Sequence, residues 1–244
     1  MALRWEINVP IFKFGLLISV ALMLGACMSQ PKPTDPIQPR EFKLSDVAKS
    51  DVDMAAEIAV KQWRGYLREI AEKLYLRNPN QLRRSDQPNL TAQQAAARLI
   101  KADGDLPQIK TAKSSDKVAL AFDPLFSGDR VAAFVGGLYG MYKTTYGNDG
   151  EFFMHHEFDP QKLYYLARNT EIADWQLRNK RDEAGRLFLI SHGDAKVGVN
   201  LTFSRIFGKL IGMNDLFAEV VADTTNRTIK NVIQGFASAV FFPI

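Results

Sequence analysis

The 244-residue chain has one cysteine, three histidines and three tryptophans. A single cysteine excludes an intrachain disulfide and any zinc site built from several thiolates. No run approaches the roughly 20 apolar residues that a membrane-crossing helix requires; the longest near the N-terminus is the 11-residue stretch from Phe14 to Leu24. Charge of either sign is scarce in excess: 31 basic and 27 acidic residues leave a net +4, too mild for a nucleic-acid footprint. The chain also lacks a phosphate-binding glycine loop, a GxGxxG fingerprint, a helical HExxH face and a Gly-x-Ser-x-Gly elbow. No period of about 34 residues or similar marks a repeat array. What remains is 46% hydrophobic and 24% charged residues, an ordinary globular composition with enough length for a real core.

The N-terminal order of residues is the most specific signal. Arg4 and Lys13 precede the apolar run, and Leu24-Gly25-Ala26-Cys27 follows it. A charged start, a short apolar core and small residues before a cut form a secretory leader. The four-residue motif resembles a bacterial lipobox, in which a diacylglycerol thioether is built on the cysteine and the leader is removed just before it. The resemblance covers residues 1–29. It implies a signal peptide over 1–26, acylation (palmitate included) of Cys27, and a mature chain whose net charge falls by one as Arg4, Lys13 and Glu6 are lost. With Cys27 acylated, no thiol is left for catalysis or metal. Several acyl chains hold a membrane stably where one does not. In such lipoproteins an Asp directly after the cysteine retains the protein at the inner membrane; Met28 and Ser29 stand here, so the resemblance implies the outer membrane of a diderm bacterium, with the domain facing the periplasm.

Residues 31–39 hold prolines at 31, 33, 36 and 39, which excludes a helix or a central strand. Extended at about 3.1 Å per residue, the stretch from Met28 to Leu44 spans up to ~50 Å. The organisation expected is therefore a leader (1–26), a lipidated cysteine with a proline-rich tether (27–44) and a domain (45–244).

The domain reads as mainly α: a single helical domain of five to six helices with room for one small β-hairpin. From Asp51 to Arg77, Val52, Ala55, Ala56, Ala59, Trp63, Tyr66, Leu67, Ile70 and Leu74 recur at helical spacing, and Asn78-Pro79 stops the run. Arg77, Arg83 and Arg84 form a basic patch, read as a solvated turn, with anionic headgroups as the alternative contact. Thr91 and Gln94 have capping-box spacing for a helix to Ala102, closed by Asp103-Gly104. Lys117 to Phe122 is short and apolar, and a strand is one reading. Asp129 opens a helix through Tyr146, stopped by Gly147. Its interior carries Gly136, Gly137 and Gly140, each costing up to about 1 kcal/mol against alanine. Such a cost points to close packing by another element, within the domain rather than across a membrane. Glu151 to Phe158 is a connector or short strand. Asp159-Pro160 starts a helix expected to reach about Arg181. Arg186 to Ser191 is a candidate strand. Two apolar stripes follow, Phe203 to Val221 and Ile229 to Phe241, separated by polar residues from Asp223 to Asn226.

Candidate chemistry is sparse. His155, His156 and Glu157 lie before one helix, and His192 and Asp194 after it. If these connectors met, they would offer His and carboxylate ligands to zinc or iron. Adjacent histidines on a strand point to opposite sides, so surface or half-buried histidines are the simpler reading, and no cofactor or metal is expected. Ser191 and His192 raise the idea of a Ser–His–Asp hydrolase, which geometry rather than order defines. The Asn-x-Thr triplets at Asn89, Asn200 and Asn226 are chance occurrences, or in the case of Asn200 a helix cap. The apolar tail Val240, Phe241, Phe242 and Ile244 is either tucked core or a surface for a partner or lipid.

As a whole the chain also resembles uncharacterised proteobacterial lipoproteins, through segments such as Gly128-Asp129-Arg130-Val131, Phe158-Asp159-Pro160-Gln161-Lys162-Leu163-Tyr164 and Asn226-Arg227-Thr228-Ile229. That resemblance brings no activity with it. The expected function is non-enzymatic: an outer-membrane-anchored lipoprotein that binds or assembles another envelope protein, with no nucleic-acid role. The alternative is a lipid- or small-molecule-binding protein with a pocket lined by Trp63, Tyr139, Tyr142, Phe203 and Phe207. A metal-dependent envelope enzyme comes third.

Overall fold

Seven helices make up the regular structure of the described residues. The computed structural model describes residues 49–110, 113–147, 152, 157–193, 200–225, 229 and 241–244, all within one compact unit, Lys43–Ile244. The helices are α1 (Asp51–Arg77), α2 (Pro79–Arg84), α3 (Ala92–Lys101), α4 (Ser114–Leu120), α5 (Arg130–Tyr146), α6 (Pro160–Asn179) and α7 (Leu201–Thr225). The lipobox and tether lie outside the described residues. No helix among those described is long and apolar enough to cross a membrane.

Local chemistry sets most of the boundaries. Ser50 caps α1 by accepting from the Asp53 amide at 3.1 Å, while the Asp53 carboxylate accepts from the Ser50 amide at 2.8 Å. Thr91 and Gln94 form the same reciprocal pair at the start of α3, which satisfies two otherwise unpaired N–H groups. Asp129 caps α5 and Asp159 caps α6. Asn200 caps α7 by accepting from the Thr202 amide at 3.0 Å. Asn78 ends α1, and its side-chain amide both donates to and accepts from the backbone of Ile190, at 2.9 and 2.8 Å.

The centre of the unit is α5. Only Gly140, Lys143 and Thr144 along it escape full burial, and a helix apolar all round must be enclosed by others. α1 and α4 pack on it, α6 contacts it, and α6 and α7 run together as a pair. Trp63 of α1 meets Tyr139 edge-on at 5.0 Å and Tyr142 at 5.4 Å. A polar chain also crosses this core. Thr170 donates to the Leu166 carbonyl, so the Tyr142 hydroxyl donates to Thr170 and accepts from the Asn214 amide, whose oxygen accepts from Tyr146. Every hydroxyl and amide in the chain thereby has a role, tying α5, α6 and α7 together.

Two expectations are corrected. Lys117 to Phe122 is not a strand: most of it lies in α4, with Val118, Ala121 and Phe122 buried. Those positions share a helical face, a pattern too short to see by periodicity alone. Arg83 and Arg84 are exposed, as a solvated turn requires, in a short helix opened by Pro79. Arg186 to Ser191 forms no strand; a turn at Gly185 (φ +74°) brings Arg181 and Leu187 into one isolated antiparallel bridge. Ile190 spends its backbone groups on the Asn78 side chain rather than on a second strand. α6 ends at Asn179, within two residues of the expected limit. The second C-terminal stripe lies largely outside the described residues.

The close packing expected at the α5 glycines is present. A Cβ on Gly136 would lie 2.5 Å from the Gly104 carbonyl oxygen, and one on Gly137 would lie 2.6 Å from the Ser114 carbonyl oxygen and 2.7 Å from the Val118 amide nitrogen. Gly137→Ala should therefore cost about 1–3 kcal/mol or more. Gly208→Ala, with nothing within 4 Å of the added carbon, should be neutral or stabilise by up to about 1 kcal/mol. Urea unfolding of both variants checks this; equal effects would mean that the notch on α5 is not tight.

Candidate functional site

The residues picked out from sequence scatter. Cys27, His155, His156, Asp194 and Val240 lie outside the described residues. His192 lies beyond the end of α6, its ring 5.5 Å from Phe203. Its Nδ1 is 3.0 Å from the Ser191 hydroxyl, and its Nε2 is 3.2 Å from Asp174 Oδ1. Ser, His and Asp thus stand in one line, but Ser191 is fully buried and its hydroxyl donates to the Leu177 carbonyl at 3.3 Å. Asp174 also pairs with Arg178. A nucleophile needs access to substrate; this hydroxyl has none and serves to hold residues 191–193 against α6. Among the described residues no group of three His, Cys, Asp or Glu side chains could hold a metal ion.

The described part of the tail is half-buried against its own domain. Phe242 exchanges two backbone hydrogen bonds with the Asn169 side chain, at 2.6 and 2.9 Å, and stacks on Tyr165 at 5.2 Å. Phe241 and Ile244 pack on the core. The aromatic pocket expected from sequence is not one. Trp63, Tyr139, Tyr142, Phe203 and Phe207 are each at most 1% exposed and pack as core.

The open apolar surface lies instead between α1 and α7. Ala55, Ile58, Gln62 and Tyr66 of α1 face Lys209, Met213, Leu216 and Val220 of α7 across a groove of about 440 Å³. Ile58 is 53% exposed and Leu216 64%. Such side chains cost free energy in water at about 25 cal/mol per Å², and a contiguous apolar patch marks an interaction surface more often than a scattered one does. Lys209 lies over the Tyr66 ring at 5.2 Å, keeping the ammonium at the rim and the walls carbon-lined. Sequence reasoning placed Ala55, Tyr66 and Val220 on core-facing stripes; their exposure depends on how far apart the two helices stand.

A second concavity, of about 960 Å³, opens between α2 and residues 181–193 and is rich in arginine. At its wall stands Arg130, next to the buried cap Asp129. Asp129 accepts from the Val131 and Ala132 amides at 2.9 and 3.0 Å and from the Tyr75 hydroxyl at 2.7 Å. Burial pushes its carboxyl up from 3.8 to about 6, against the pull of those donors.

Compared with protein-family models, curated proteins and solved structures, the chain matches none.

The raised Asp129 carboxyl has a defined consequence for stability. The folded chain binds this proton more tightly than the unfolded chain, so the contribution is fully present below about pH 4 and is lost as pH rises through about 6. The loss is on the order of 2–3 kcal/mol. Asp129→Asn keeps a capping oxygen but cannot titrate. Urea unfolding at pH 4 and pH 7 should show the native chain gaining stability relative to Asp129→Asn on acidification. A pH-independent difference between the two would contradict the raised carboxyl.

Proposed function

We propose that the chain is an envelope lipoprotein, acylated at Cys27, held at the outer membrane by a proline-rich tether, whose periplasmic helical domain docks another envelope protein in the α1–α7 groove. The anchor half of this reading rests on the order of leader, small residues, Cys27 and prolines. The docking half rests on one observation: α1 and α7 leave Ile58, Leu216 and Val220 unpaired along a carbon-lined groove.

The shape of the groove favours one occupant, an amphipathic helix. Its walls are Ala55, Ile58, Ala59, Gln62 and Tyr66 on one side and Lys209, Met213, Leu216, Phe217 and Val220 on the other. Each is a stripe with steps of three and four along about 11 residues, or roughly 16 Å of helix. Two such stripes side by side form the seat into which a third helix lays its own apolar face. The role is one of binding, and the tether gives the domain reach from the membrane.

Metabolic labelling with a palmitate analogue, followed by membrane fractionation, tests the anchor. The native chain should take label and sediment with outer membranes. Cys27→Ala should lose the label and leave that fraction while keeping its helical circular dichroism. An unlabelled native chain would remove the lipoprotein reading, whatever the groove binds.

A further inference from the structure

The concavity between α2 and residues 181–193 is lined by Arg84, Arg130, Arg181 and Arg186, with Asp182 and Glu183 as the acids among its described lining residues. Asp182 is already spent: it accepts from the Ala184 and Arg186 amides at 3.0 and 2.8 Å, and from the Arg186 guanidinium at 2.9 Å, to close the turn. Among the described lining residues that leaves Glu183 as the one acid not committed to the turn, against three guanidinium groups.

Those three are held in different ways. Arg130 is nearly buried, and no carboxylate pairs with it among the described residues. Its Nη1 donates to the carbonyls of Ala121 and Asp123, and its Nη2 to that of Phe126, at 2.8–2.9 Å. Its plane lies over the Phe188 ring at 4.9 Å. The guanidinium is thus fixed in place by dipoles and an aromatic face, with part of its five-donor fork unused. Arg84 is exposed on α2 and close enough to Arg130 to depress its pKa, a second cause after burial, against a smaller opposing pull from Asp123. Among the described residues Arg181 bonds the Gly185 carbonyl, at 3.1 Å. Holding like charges together around an open cleft costs folding free energy unless an anion occupies it. Arginine forks match the oxygens of phosphate two at a time.

We propose that this cleft is a binding site for a phosphate group carried on a larger polar molecule, with Arg130 as the fixed anchor and Arg84 and Arg181 as the mobile clamps. The cleft is several times larger than orthophosphate, which leaves room for the group that bears it. The phosphate could belong to a lipid headgroup or to a free phosphorylated metabolite; both present the same oxygens. The site is separate from the α1–α7 groove and stands whether or not the chain is a lipoprotein.

The test uses the full chain in its Cys27→Ala form, so that no acyl anchor contributes. Inorganic phosphate is titrated at constant ionic strength against chloride, and the urea midpoint is followed. The expected result is a saturable rise with phosphate alone. In Arg84→Gln/Arg181→Gln, whose altered side chains are exposed, the apparent affinity should fall at least tenfold while the midpoint without phosphate holds or rises. Flotation with phosphatidylcholine vesicles, with and without phosphatidic acid, then assigns the source. Binding only with phosphatidic acid means a headgroup, and phosphate binding without flotation means a free ligand. Chloride acting as well as phosphate, or a double variant that responds like the parent, would overturn the proposal.

Discussion

Everything in this domain is arranged around a helix with no free side. α5 is buried along nearly its whole length, so the surrounding elements must supply apolar surface on every face. Its N-terminus is capped by Asp129, which Tyr75 of α1 reaches across the fold. Its middle is a notch of glycines into which Gly104 and the start of α4 press closely. Its C-terminal half holds Tyr142 and Tyr146, whose hydroxyls meet Asn214 of α7. The cap, the notch and the polar chain each bind α5 to different neighbours. A buried polar group left unpaired costs about 1–3 kcal/mol, so the three together favour one arrangement of the helices over near alternatives.

That arrangement also determines what is left open. α1 gives Ala56, Trp63, Leu67 and Ile70 to the core and turns Ala55, Ile58 and Tyr66 toward α7. α7 gives Phe203, Phe207 and Leu210 to the core and leaves Leu216 and Val220 outside. The groove therefore runs along the outer edge of the seam where α1 and α7 meet, beyond the residues that each commits to the core. On the other side of the cap, Arg130 follows Asp129 and must leave the core as soon as α5 begins. Its guanidinium donates to carbonyls and lies over Phe188, with no ion pair to a carboxylate among the described residues, which is how a buried positive charge comes to wall an open cleft.

The long helices were legible because their limits are local. Thr91 with Gln94, Asp129, Asp159-Pro160 and Asn78-Pro79 act within three or four residues and need no tertiary partner. The glycine notch was legible too, since three costly glycines in one helix require a reason. What could not be read depends on neighbours distant in sequence. α4 is shorter than the window over which period 3.6 differs from period 2. The segment around Leu187 and Ile190 carries strand-like residues, yet pairs with the Asn78 side chain. An aromatic helix face looks the same whether it lines a pocket or fills a core, so Trp63 and Tyr142 read as either. The exposure of Ile58 and Leu216, and the bonding of the Arg130 guanidinium to carbonyls, exist only once the helices are placed.

On the proposed reading, the tether provides reach, the α1–α7 groove provides the dock, and the α5-centred core keeps the groove walls at a fixed separation. Site-specific photocrosslinking in intact cells tests this most directly, with the probe at Leu216 compared with the probe at Leu125, an exposed position outside the groove. The account predicts one protein adduct from Leu216 that is absent from Leu125, mapped to an amphipathic helix of an envelope protein, and lost when Cys27 is replaced by alanine. A Leu216 adduct to lipid or to a second copy of this chain, or identical patterns from both positions, would contradict it.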